Sequence, residues 1–225
     1  CEGAKDYYEK YLLSPEQGEA HRNGDIHIHD FDFYALTTTC CQIDLLKLFK
    51  GGFSTGHGFL REPNDIQSYA ALACIAIQSN QNDQHGGQSV VNFDYGLAPG
   101  VAKTYKRIYL ENLERAAKLI APAAGIDKLF LKNMAEAIER ETFRRPQLGG
   151  NARYEAEELR ILSEKAGEEK ARAIQNFAIE NTTPETERAT YQAMEALIHN
   201  LNTMHSRAGA QTPFSSVNYG TDTSP

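Results

Sequence analysis

The chain has 225 residues, of which 41% are hydrophobic and 24% charged, and its formal net charge is -7. That length accommodates one large domain or two small ones, with a substantial core, in the balance typical of globular chains. The acidic total argues against a general binder of nucleic-acid backbone, which needs a basic footprint, but leaves room for a local pocket that takes an anionic ligand.

The opening CEGAKDYYEKYLL lacks the apolar core of a signal peptide. No segment approaches the roughly 20 apolar residues of a membrane-spanning helix. A cytoplasmic location is the resulting expectation. In that reducing setting Cys1, Cys40, Cys41 and Cys74 do not read as a disulfide framework, and without a CxxC pair they do not read as structural zinc. Cys1 in place of an initiator Met, and an end at TDTSP, suggest a piece of a longer protein.

Residues 5–20 predict a short helix and a loop, followed by a turn at Asn23-Gly24. Asp25 to Phe33 alternates, with Ile26 and Ile28 opposite His27 and His29, which predicts a strand. Tyr34 to Cys41 reads as a second extended segment, and Leu45 to Phe49 has no clear period. Gly51, Gly52, Gly56 and Gly58 predict a flexible loop. A helix begins near Asn64 or Asp65, both good caps, and is apolar nearly all round from Ala70 to Ile77, so it should be buried with Cys74 in it. A polar loop around Gly86-Gly87 leads to a strand near Ser89 to Tyr95. From Ala102 to Arg145 the pattern is helical, with Tyr105, Ile108, Tyr109, Leu113, Ala116 and Ile120 on one face. Residues 151–180 predict a charged helix. Thr183-Pro184 reads as a cap and first-turn proline, and the helix that follows presents Met194, Leu197, Ile198 and Leu201. A last strand falls near Gln211 to Tyr219. The order of elements predicts an α/β fold, helix-rich, with a sheet or barrel that this chain does not complete.

Several groups could carry chemistry. On a strand, His27 and His29 would share one face and could start a metal site, or could be packed histidines beside a pocket. Asn80, Asn82, Asp83, Gln84, His85 and Gln88 make a dense polar cluster, either a solvated loop or a ligand loop at a strand end. Arg207 could grip a phosphate or simply finish a helix, and Gln211, Ser215, Ser216 and Asn218 lie just beyond it. A bridge between Cys40 and Cys41 would be strained, which leaves a packed pair or a redox thiol. In an extended segment the two side chains leave on opposite faces, so at most one meets a given pocket.

Four stretches together resemble the anaerobic (class III) ribonucleoside-triphosphate reductases, which are glycyl radical enzymes. They are GDIHIHDFDFYALTTTCCQIDLL, GGFSTGHGFLREP, SNQNDQHGGQSVVNFDYGLAPGV and YQAMEALIHNLNTMHSRAGAQTPFSSVNYGTDTSP. The resemblance covers about residues 20–105 and 184–225; the segment from about 106 to 183 is less distinctive. It implies a single domain over residues 1–225 that is the N-terminal part of a ten-stranded glycyl-radical-type α/β barrel. It implies reduction of ribonucleoside triphosphates to 2'-deoxyribonucleoside triphosphates. A glycyl radical, installed by a separate S-adenosylmethionine-dependent activase, passes to a loop cysteine that removes the 3' hydrogen of the ribose. The 2' hydroxyl then leaves and a reductant, formate or a redoxin, supplies electrons. Nucleotide effectors and a homodimer are further implied.

The family's ATP-binding cone, thiyl loop, zinc site and glycine motif have no counterpart in this stretch, so it is expected to be inactive alone. In many members an Asn-Cys pair precedes an apolar-Ile-Asp-Leu run. Counting back from Ile43-Asp44-Leu45 places that cysteine at Cys40, as the catalytic residue, and Thr39 where the Asn would be. The departure at Thr39 leaves the reductant open. Thr39, His27, His29, Asn82, His85, Gln88, Gln211, Ser215 and Asn218 are then candidates for the substrate pocket, with no metal ligand among them. Two other classes compete: a non-catalytic nucleotide-binding or scaffold module with the same motifs, and a His-x-His metal-dependent hydrolase.

Overall fold

A computed structural model describes residues 2–34, 39–56, 58–203 and 214–220, with only the backbone of Thr39, Asp83 and His85. The chain opens with α1 (Glu2–Tyr11) and α2 (Pro15–Asn23). Ser14 caps α2 by accepting from Gln17 N, and the Gln17 side chain returns the bond to Ser14 N. Gly24 closes the helix at φ +81, so the Asn23-Gly24 turn is a helix C-cap.

The strand expected from Asp25 to Phe33 does not form. That stretch is turn and bend, ending in a 3-10 turn at Phe31–Phe33, with Asp30 at φ +50. The Asp25 and Ile26 amides donate to Ala20 O, and the Ile28 amide donates to His21 Nδ1. These bonds satisfy the backbone locally, so no sheet partner is needed. Ile26 stays exposed, which removes the buried face that would fix a strand.

Then come β1 (Thr39–Gln42), α3 (Leu45–Phe49), a hairpin of β2 (Phe53–Ser54) and β3 (Phe59–Leu60), α4 (Ile66–Asp83) and β4 (His85–Val90). Leu45–Phe49, which lacked a period, is helical because the Asp44 carboxylate caps it through Lys47 N. Gly51, Gly52, Gly56 and Gly58 lie outside the strands, as a loop would have them, and flank the short strands of the hairpin. Asp65 caps α4 as expected, accepting from Ser68 N and Oγ. Ala70, Ala73, Cys74 and Ile77 are buried as expected.

The polar stretch Asn80–Asp83 is the last turn of α4, not a loop, and Gly86-Gly87 lies inside β4. Instead of continuing to Tyr95, the strand stops at Val90 and α5 (Phe93–Ile120) begins, well before Ala102. Its helix-breaking residues have packing roles. A Cβ on Gly96 would lie 2.7 Å from Leu45 Cβ, and one on Gly100 2.8 Å from the Tyr69 ring, so these glycines let α5 lie against α3 and α4.

A 3-10 turn, α6 (Lys128–Thr142), α7 (Ala152–Ala166) and α8 (Glu168–Thr203) follow. The single charged helix expected over 151–180 is two, split at Gly167. Thr183-Pro184 does not start a helix: α8 runs through it. Thr182 and Thr186 are buried on either side, so packing along the whole helix outweighs the hydrogen bond that Pro184 cannot donate.

A short β5 (Ser215–Val217) completes a parallel sheet of order β1-β4-β5. Met204–Pro213 and the final five residues lie outside the described part, and with them Arg207 and Gln211. The result is a helix-rich α/β fold with one small parallel and one small antiparallel sheet. A ten-stranded barrel is not present among the described residues.

Two cores hold the molecule. One joins the sheet to α3, α4, the start of α5 and the end of α8 through Ile43, Leu45, Ile66, Ile77, Val90 and Leu197. The other lies among α5, α6, α7 and α8. Its heart includes Tyr154, Leu162 and Ile174, all fully buried.

Candidate functional site at the open face of the sheet

Strand alternation gives the three-stranded sheet two unlike faces. Ile43 and Val90 are buried toward α4, with Cys41 and Val217 packed against the same core. Gln88 follows them inward: it is 1% exposed, and its Oε1 accepts from Asn80 Nδ2 of α4. The other face carries Cys40 and Gln42 of β1, Gly87 and Ser89 of β4, and Phe214 and Ser216 at β5. These residues line a cavity of about 430 Å³, which Cys41 and Gln88 also border. Cys40 is exposed and Cys41 half-buried, as expected of neighbours on one strand.

The register around Cys40 is irregular. Thr39 pairs with His85 but Cys41 pairs with Gln88, so Gly86 and Gly87 together oppose the single residue Cys40. This is a β-bulge, a feature that re-aims side chains beside functional sites. Cys40 itself has φ +54, in the left-handed region. For a residue with a Cβ such a conformation costs about 1–3 kcal/mol and persists only where its surroundings enforce it.

The wall is uncharged among the described lining residues: the Cys40 and Cys41 thiols, the Ser89 and Ser216 hydroxyls, the Gln42 and Gln88 amides, Gly87 and an aromatic ring. The Phe214 ring is 81% exposed and stands over Gly87. Such a surface can hydrogen-bond and stack on a neutral polar ligand while offering the exposed thiol of Cys40. Cys74 offers no comparable chemistry. It is buried in α4, donates to Leu197 O, and burial pushes its thiol up to about 11.

The other candidates are scattered. Ser215 is opposite Gln88 and on the inward face, while its neighbour Ser216 lines the cavity. Asn218 is exposed beyond β5, where its backbone bonds Val90 and Phe93. Asn82 is exposed on the last turn of α4. His85 and Thr39 face each other in backbone register, and their side chains lie outside the described part.

His27 and His29 are not on a strand. Their rings stand perpendicular with centroids 6.2 Å apart, the His29 side chain is 80% exposed, and its Nδ1 lies 2.9 Å from Asp30 Oδ2. The strand on which the metal-hydrolase reading depended is therefore absent. Gln42, Ser89 and Phe214 were missed by sequence reasoning, which named Ser216 but chose Ser215 for the pocket. Val90 as an inward anchor would have assigned Ser89 outward, but the glycine pair beside it reads as a loop.

These features define a class: an α/β unit that presents a cysteine on the open face of a small parallel sheet. The chain belongs to the anaerobic ribonucleoside-triphosphate reductase family, whose model matches residues 2–225. It is 26% identical over 207 residues to the anaerobic ribonucleoside-triphosphate reductase of Enterobacteria phage T4, covering 91% of this chain and 24% of that protein. It is 31% identical over 106 residues to the enzymes of that name from Salmonella typhimurium and Escherichia coli, covering 46% of this chain and 15% of each. The chain thus spans less than a third of the length of these relatives.

Proposed function

We propose that this chain is the N-terminal part of the catalytic core of an anaerobic ribonucleotide reductase. The full protein reduces ribonucleoside triphosphates to 2'-deoxyribonucleoside triphosphates under the control of nucleotide effectors, in the cytoplasm and as a homodimer. The family match along nearly the whole chain carries this reading. A glycyl radical outside this chain, installed by an S-adenosylmethionine-dependent activase, supplies the radical chemistry, and the family's zinc ligands also lie outside it. The chain alone does not turn over.

Within that enzyme the residues of this chain bind and orient the sugar. The neutral floor formed by Gln42, Ser89 and Ser216 suits a ribose, whose hydroxyls need hydrogen-bond partners rather than counter-charges. Residues elsewhere hold the triphosphate. Cys40 is the thiol that reaches the sugar during its reduction, and Cys41 serves packing. Formate or a redoxin regenerates the reduced state. Thr39, in place of an Asn, leaves the choice between them open.

In the full-length protein, Cys40→Ser abolishes deoxyribonucleotide formation, whereas Cys41→Ser leaves most of it. Product formation measured anaerobically after activation tests this. Retained turnover in Cys40→Ser, with loss in Cys41→Ser, would reverse the assignment.

A further inference from the structure

Gly86 is one of the two bulge residues opposite Cys40, and its φ is +93. A Cβ built on it would lie 3.0 Å from Cys40 Sγ, 3.2 Å from Cys40 N and 3.7 Å from Cys40 Cα. The thiol therefore occupies the space a side chain at position 86 would fill. Its neighbour is different. A Cβ on Gly87 would meet the Phe214 ring at 3.2 Å, and no atom of Cys40 is among its nearest contacts.

We infer that Gly86 is a positioning residue for Cys40, leaving the slot that holds the thiol at the cavity floor. Both backbones are left-handed at this point, Cys40 at φ +54 beside Gly86. The bulge turns Cys40 out of the regular strand path, and the bare Gly86 lets the turned side chain lie back against β4. A methyl group here would push the sulfur away from that place while leaving the thiol chemically intact. The inference rests on the reading of Cys40 as the thiol that meets substrate.

The test uses the activated full-length protein with two readouts. One is turnover. The other is the rate at which iodoacetamide alkylates Cys40 in the native protein, followed by mass spectrometry. Gly86→Ala should lower kcat by about tenfold or more and shift the Cys40 alkylation rate by about fivefold or more, since displacements near 1 Å carry penalties of that size or larger. Gly87→Ala should leave Cys40 alkylation within about twofold, because the bulge glycine facing the sulfur is untouched.

A Gly86→Ala protein with unchanged alkylation overturns the inference, as does one with altered alkylation and full turnover. Melting provides a second measure. Gly86→Ala should lower Tm less in a Cys40→Ala background than in the wild type, because the sulfur is gone. Equal losses, or failure of both proteins to fold, overturn the inference, since the demand for glycine would then come from the backbone alone. If Cys40→Ser turns over normally, the proposed function of Cys40 fails, while alkylation and the Tm comparison still judge the contact with Gly86.

Discussion

Among the described residues, three with a side chain hold a left-handed backbone: Asp30, Cys40 and Phe143. Phe143 closes α6 at φ +55 and is 89% exposed, so its ring recovers little by packing. A left-handed residue with a Cβ costs roughly 1–2 kcal/mol, and glycine is the usual solution at this cap. Phe143→Gly should therefore stabilise the protein by about 1 kcal/mol, seen as a rise in the urea midpoint with unchanged slope. At Cys40 the same conformation has a different setting, because it lies in a bulge on the cavity floor. The cysteine pair was legible in part from sequence: alternation assigns opposite faces to neighbours. The bulge and the glycine slot were not, because they arise from where β4 lies relative to β1.

At the level of elements, α5 is where local preference and packing part company. Its first turns contain Gly96, Pro99 and Gly100, which read as a break, yet the helix is continuous. The Thr104 hydroxyl donates to Gly100 O and accepts from Ile66 N, tying α5 to the start of α4. Lys103 Nζ reaches Glu62, Pro63 O and the Tyr69 hydroxyl from the same face. Alanine is intrinsically the better helix former, but here it would overlap Leu45 or Tyr69. Gly96→Ala and Gly100→Ala should each destabilise by about 1–3 kcal/mol, as overpacking does. Chemical denaturation checks this, and stabilisation by either substitution would refute the packing role.

At the scale of the whole molecule, the helical core contains a buried carboxylate, Glu158 of α7, which is 0% exposed. It accepts from the Tyr109 hydroxyl at 2.7 Å and from Gln175 Nε2 at 3.0 Å, with the Tyr154 hydroxyl as a third neighbour. Burial raises its pKa from 4.5 to about 7, against the hydrogen bonds from Gln175, Tyr109 and Tyr154 that favour the anion; Glu155 adds a further push upward. The folded state then holds a proton that the unfolded chain has released. This contribution is complete below about pH 4.5 and is lost as pH rises through about 7, on the order of 3 kcal/mol. Glu158→Gln should remove that slope and make the protein relatively more stable at pH 8 than at pH 5, compared with the wild type. Parallel stability profiles for the two proteins would refute it.

The sequence by itself determined the class, the family and many of the helices. Apolar periodicity marks α4 and the later part of α5, Asp65 announces a cap, and long ordered motifs carry the resemblance. Those signals are local or are matched as a string, so no contact needs to be known. Tertiary structure decided the rest. His27 and His29 left the strand because local bonds satisfied the neighbouring amides of Asp25, Ile26 and Ile28, and Pro184 stayed within α8 because one face of that helix is buried along its length. Ser216 rather than Ser215 reached the cavity because the parallel register with β4 sets which residue faces outward. The slot for Cys40 likewise exists only once two strands far apart in sequence lie side by side, since neither Cys40 nor Gly86 encodes the distance between them.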